Sequence, residues 1–131
     1  MSRYLLDTHV LLWLATDPGQ IPEGLREELS AADEIFLSAA SAYEISQKSR
    51  LGQLPHGERL LARWSHLREA LLADELPLSV GHMREAGELA WAHRDPFDRV
   101  LVAQARLDGL VLVTKDERIL AFEEVTCARW E

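Results

Sequence analysis

Short, uninterrupted apolar runs alternate along this chain with longer stretches in which apolar residues return every three or four positions. The runs predict strands. Arg3-Tyr4-Leu5-Leu6 is the first, Glu34-Ile35-Phe36-Leu37-Ser38 the second, and Leu76-Pro77-Leu78 a brief third. Leu110-Val111-Leu112-Val113-Thr114 is a fourth, and Val125-Thr126-Cys127-Ala128 a shorter last one. Helical spacing fills the gaps: Val10 to Ala15, Glu23 to Ala32 after Pro22, Ser41 to Leu51 stopping at Gly52, His82 to His93, and Pro96 to Leu107 closed by Asp108-Gly109. The clearest amphipathic helix is Glu58 to Ala73, where Leu60, Leu61, Trp64, Leu67, Leu71 and Leu72 follow helical spacing. Strands that are apolar throughout are buried on both faces, and strands that alternate with helices form a parallel sheet. The expected fold class is therefore α/β, with helices on both faces of a mainly parallel sheet of four to five strands, in one domain spanning residues 1–131.

Composition narrows the picture. With 131 residues, 47% hydrophobic and 27% charged, the chain can bury one core, which excludes disordered and collagen-like classes. The single cysteine, Cys127, permits neither an internal disulfide nor a cysteine-based zinc site, and fits a reducing cytoplasm. The apolar start, Tyr4 to Ala15, is broken by Asp7 and His9 and followed by Thr16-Asp17-Pro18-Gly19, unlike an export signal, and it is too short to cross a bilayer. A cytoplasmic protein with no membrane partner is expected. The 22 acidic residues outnumber 14 basic ones for a net charge of −8, which excludes broad, metal-free nucleic-acid binding through a basic face.

The acids are not scattered. In open parallel sheets ligands bind beyond the carboxyl ends of the strands, and there Asp7 follows the first strand and Asp116 comes two residues after Thr114. Glu44 lies near the start of the helix after the second strand, and Asp95 and Asp98 open the helix that leads into the fourth. Each acid alone has a plainer explanation. Asp95-Pro96 looks like a helix cap, Ser41-x-x-Glu44 matches a capping box, and Asp7 and Asp116 also stand where caps belong. Together they pose an electrostatic problem, since two carboxylates ~4 Å apart repel by roughly 4 kcal/mol at an effective dielectric near 20. Protonation of some of them, or a divalent cation among them, relieves it. An all-oxygen donor set favours Mg²⁺ or Mn²⁺ over zinc.

Four blocks, Leu5-Leu6-Asp7-Thr8-His9, Ser41-Ala42-Tyr43-Glu44-Ile45, His93 to Arg99 running into Val102-Ala103-Gln104-Ala105, and Val113-Thr114-Lys115-Asp116, resemble the PIN domain. More narrowly, they resemble the VapC-type toxins of bacterial toxin–antitoxin modules. The resemblance covers essentially the whole chain. It implies a three-layer α/β/α PIN-like fold and a metal-dependent endoribonuclease, restrained by a cognate antitoxin and forming a homodimer. Asp7, Glu44, Asp98 and Asp116 match the family's acidic quartet, and Thr114 its hydroxyl beside the last acid. Asp98 rather than Asp95 is matched, because Asp98-Arg99-Val100-Leu101-Val102-Ala103 aligns with the family's acid and the helix after it. Many relatives carry Asn or Ser where this chain has His9. On this reading Asp7 and Asp98 ligate Mg²⁺ or Mn²⁺ directly, Asp116 and Glu44 complete the set directly or through water, and Thr114 orients one of them. Such an ion activates water and neutralises charge on the phosphate, leaving a 5′-phosphate and a 3′-hydroxyl.

Around the acids, Lys48, Arg50, Arg94, Arg99, Lys115 and Arg118 form either solvated surface or a basic rim that holds the RNA backbone, with Arg99, Lys115 and Arg94 the named candidates. His93 sits at a helix end, where a structural role is the plainer reading; His9, His56, His66 and His82 share no ligand spacing. Trp13 and Trp64 lie on apolar faces and are assigned to the core. Two competing readings remain. A Mg-dependent phosphotransfer or phosphatase domain also places Asp after a parallel strand, but requires Asp-x-Asp or paired acids where this chain has Asp7-Thr8-His9. A non-catalytic PIN-like interaction domain has no reason to sustain a complete acidic quartet.

Overall fold

The computed structural model describes residues 1–131. Four parallel strands, β1 (Arg3–Leu6), β2 (Glu34–Ser38), β3 (Ala73–Leu76) and β4 (Val111–Val113), form one sheet in the order β3-β2-β1-β4. Tyr4 pairs with Ile35 on one side and Val111 on the other, and Leu6 with Leu37 and Val113. The helices are α1 (Thr8–Thr16), α2 (Glu23–Ser30), α3 (Ala39–Arg50), α4 (Gly57–Ala62), α5 (Trp64–Leu71), α6 (Val80–Glu88), α7 (Pro96–Asp108) and α8 (Glu117–Leu120). No helix is long and apolar enough to cross a membrane.

Alternate strand residues feed two cores, as a sheet covered on both faces requires. Tyr4, Leu6, Ile35, Leu37 and Val113 pack with Val10 and Leu11 of α1, Leu25 and Leu29 of α2, and Ile45 of α3. Leu5 and Leu112 face the other way, onto Leu101, Val102 and Ala105 of α7 and Ile119 of α8. Trp13 and Trp64 pack against the first core, as their spacing predicted. Trp91 stacks on Phe122 with ring centroids 4.7 Å apart, and Trp130 meets Trp13 edge-on at 5.9 Å.

Several boundaries differ from the sequence reading. The third strand is Ala73–Leu76, three residues earlier than the apolar run Leu76-Pro77-Leu78. It pairs with β2 alone, so Asp74 and Glu75 remain exposed, and Pro77, without an amide N–H, ends the ladder. The last strand reduces to one bridge, in which Leu112 accepts from Ala128 N and donates to Thr126 O, with Cys127 opposite. A single residue of β4 makes both bonds, too few for a ladder. The long amphipathic helix divides at Arg63, whose φ of −106° and ψ of 16° leave helical geometry, and ends at Leu72, which is left-handed and 87% exposed. Leu60, Leu61, Trp64, Leu67 and Leu71 still pack against the core across the break. The helix expected at His82–His93 runs instead from Val80 to Glu88, because Ser79 caps it through His82 N and Leu89 turns extended. Gly109 closes α7 at φ +67°, a left-handed position that suits glycine.

Candidate active site

Sheet order reverses at β1: the chain passes from β1 to β2 and β3 on one side, and returns to β4 on the other. The crevice at the carboxyl ends of β1 and β4 is therefore where a site is expected. Asp7 leaves β1 with its amide bonded to Val113 O at 2.9 Å, which brings it beside Thr114 at the end of β4. The Thr114 hydroxyl donates to Asp7 Oδ2 at 2.7 Å and accepts from Asp116 N at 3.0 Å. One fully buried hydroxyl thus ties two of the acids together, each bond directing the other. Asp7 starts α1 but makes no side-chain cap to it, so its carboxylate faces the crevice rather than the helix.

Glu44 arrives from α3. The helix is capped by Ser38, whose hydroxyl accepts from Ala40 N and donates to Gln104 Oε1 of α7. The capping box expected from Ser41 and Glu44 is absent, because helix α3 begins at Ala39, before Ser41. Ser41 instead shares a buried hydrogen bond of 2.8 Å with Thr8, joining α3 to the start of α1. Glu44, 4% exposed, points inward one turn later and is held by Lys48 Nζ at 2.7 Å.

Asp98 comes from the first turn of α7. Asp95 caps that helix, accepting from Phe97 N and Asp98 N, as the Asp95-Pro96 pair suggests. His93 Nε2 is hydrogen-bonded to Asp98 Oδ2 at 2.7 Å. Asp116 caps α8 with Oδ1, accepting from Arg118 N and Ile119 N.

The electrostatics show that these side chains sense one another. Burial pushes the Asp98 carboxyl up to about 6; the His93 hydrogen bond opposes this, while the charges of Asp95, Asp7 and Asp116 add to it. Burial also raises Asp7, against the Thr114 bond and His9, with Glu44 adding repulsion. Burial draws the Lys48 ammonium down, but its hydrogen bond to Glu44 and the charges of Glu44, Asp95 and Asp98 together more than reverse this. An all-carboxylate donor set whose burial disfavours its own charge suits a hard divalent cation. No three His, Cys, Asp or Glu side chains lie close enough together to close round an ion. Each acid is instead held by a protein group: Asp7 by Thr114, Glu44 by Lys48, Asp98 by His93, and Asp116 by its helix.

The expected basic rim is only partly present. Arg99 does not reach outward: Nε donates to Ala86 O, Nη1 to Trp91 O and His93 O, and Nη2 to Leu89 O. A connection without regular structure needs donors for its carbonyls, and Arg99 supplies them, so the guanidinium is engaged in holding this segment against α7. Arg94 is exposed, as is Lys115, whose ammonium lies 5.9 Å from the Trp130 ring centroid. Two contacts were under-read in the sequence: Glu44 to Lys48, whose four-residue spacing on a helix was a usable signal, and His93 to Asp98, which depends on the fold of the loop between them.

The chain is 28% identical over 119 residues to Ribonuclease VapC22 of Mycobacterium tuberculosis, covering 91% of each protein. Its fold matches VapBC2 from Rickettsia felis, solved bound to a promoter DNA fragment, with a TM-score of 0.73, 14% identity and coverage of 98% of this chain and 99% of that one. It also matches DNA-bound VapBC from Salmonella typhimurium, with a TM-score of 0.73, 20% identity and coverage of 99% of each chain. The model of the family described as PIN domain matches residues 4–125, and the chain belongs to that family.

Proposed function

We propose that this protein is an endoribonuclease of the VapC toxin kind, dependent on Mg²⁺ or Mn²⁺ and restrained by a cognate antitoxin. The observation that carries the reading is the convergence of Asp7, Glu44, Asp98 and Asp116 on one sheet end, where Asp98 is raised to about 6 by burial and by its acidic neighbours. Similarity to a ribonuclease over 91% of the chain supports it. Fold likeness to VapBC assemblies supports an antitoxin partner, and homodimer formation is part of the same reading.

Asp7 and Asp98 would ligate the ion directly, with Glu44 and Asp116 completing the set directly or through water. A bound divalent cation supplies an activated water and offsets the charge that develops on the phosphate during cleavage. Thr114 fixes the orientation of Asp7 through its 2.7 Å bond, and His93 does the same for Asp98. Arg94 and Lys115, exposed and adjacent in sequence to Asp95 and Asp116, would meet the RNA backbone.

The test is RNA cleavage with added Mg²⁺ or Mn²⁺ by the wild-type chain, Asp7→Asn and Asp98→Asn. Cleavage confined to the wild type and stopped by EDTA is expected. Equal activity in all three proteins, or activity that survives EDTA, rejects the metal-dependent reading.

A further inference from the structure

We propose that Lys48 is a built-in counter-ion that holds Glu44 while the metal is absent and must release it when the metal binds. The inference rests on the proposed metal site, and concerns how that site is kept folded without its ion. Lys48 is the one lysine or arginine that forms an ion pair with any of the four acids, through Nζ to Glu44 Oε2 at 2.7 Å. The two ends of the pair differ in a useful way. The Glu44 side chain is 6% exposed and that of Lys48 is 34% exposed. A carboxylate so deeply buried needs a partner, and removing the partner from a buried charge is strongly unfavourable. The ammonium, by contrast, ends a flexible four-carbon stem that already reaches solvent, so rotamer changes alone can carry it off Glu44.

The placement on α3 favours this pairing. Glu44 precedes Lys48 by four residues, the better of the two orders for a helical ion pair, and both residues lie within the regular part of the helix. Lys48 also lines a small cleft with Thr8, His9, Leu12, Ile45, Gln53 and Leu54, in which the released side chain can lay its four-carbon stem along Leu12, Ile45 and Leu54. A metal ion that takes Glu44 as a ligand competes with the ammonium for the same oxygen. Breaking a partly screened pair weakens metal binding by about tenfold relative to a site without the competitor.

The experiment titrates Mn²⁺ into the full chain, following free Mn²⁺ by electron paramagnetic resonance, and records thermal unfolding in EDTA. For Lys48→Met the expected result is Mn²⁺ binding about tenfold tighter, together with a lower unfolding temperature in EDTA. Lys48→Gln, which keeps a hydrogen-bond donor without the charge, should tighten binding in the same direction, and Lys48→Arg should behave as wild type. Unchanged or weaker Mn²⁺ binding in both neutral variants overturns the proposal, as does tightening in Lys48→Arg. Failure of the underlying site is separately visible: Asp98→Asn binding Mn²⁺ as tightly as wild type rejects the site and not only the role of Lys48.

Discussion

Replacing Asp98 by Asn should strengthen the metal-free protein while removing its activity. The side chain keeps its shape, and an amide oxygen can accept the His93 hydrogen bond now made by Oδ2. What disappears is a charge that burial and three acidic neighbours disfavour. In the folded protein Asp98 titrates at about 6, above its ordinary 3.8, so the folded state holds the proton more tightly than the unfolded one. Its favourable contribution is therefore fully present below about pH 4 and is lost as the pH rises through about 6. At about 1.4 kcal/mol for each pH unit, the full loss is about 3 kcal/mol. Asp98 is partly open to solvent, and screening reduces this to about 1–2 kcal/mol. Asp98→Asn does not titrate and escapes the loss. Urea denaturation in EDTA should show the variant about 1–2 kcal/mol more stable than wild type at pH 8 and equal to it at pH 4, with an unfolding temperature about 3–10 °C higher at pH 8. Saturating Mg²⁺ should narrow or reverse the difference, because the wild type alone gains from binding it. A variant no more stable than wild type at pH 8, or a gain that persists undiminished at pH 4, refutes the reasoning.

Arg99→Lys should cost at least about 2 kcal/mol in urea denaturation, because a single ammonium cannot serve four carbonyls spread from Ala86 to His93; a loss below about 0.5 kcal/mol contradicts this bracing role of Arg99. Thr114→Val leaves Asp7 without its donor and the Asp116 amide without its acceptor, so ribonuclease activity should fall by about tenfold or more, with Thr114→Ser restoring most of it. Gly109→Ala meets no atom within 4 Å, yet φ is +67°, so chemical denaturation should show a loss of about 1 kcal/mol from backbone strain alone. Ser41→Ala removes the buried bond to Thr8 and should destabilise the fold by about 1 kcal/mol, as measured by the same denaturation.

The basic rim illustrates how little a charge in a sequence says about its contacts. Arg99 adjoins a proposed ligand and carries a full positive charge, two properties that suit an RNA contact. Its guanidinium instead turns toward carbonyls of the α6–α7 connection, since an irregular segment packed against the protein must find donors somewhere. That demand arises from the path of residues 89–95, which no local pattern announces. The third strand was displaced for a related reason. A run of apolar residues marks a strand buried on both faces, whereas β3 pairs on one side and keeps Asp74 and Glu75 in solvent.

By itself the sequence determined the α/β class, the parallel strands β1, β2 and β4, and the position of each candidate acid beyond a strand or at a helix start. These follow from burial and backbone geometry, which act over a few residues and leave a regular imprint on residue order. Only the tertiary structure decided what each acid touches: Thr114 on Asp7 across 107 residues, His93 on Asp98 around a loop, and Lys48 rather than a helix amide on Glu44. Hydrogen bonds and ion pairs depend on tenths of an ångström and on direction, and those are set by how β1 and β4 pair and how α3 and α7 pack, not by spacing along the chain.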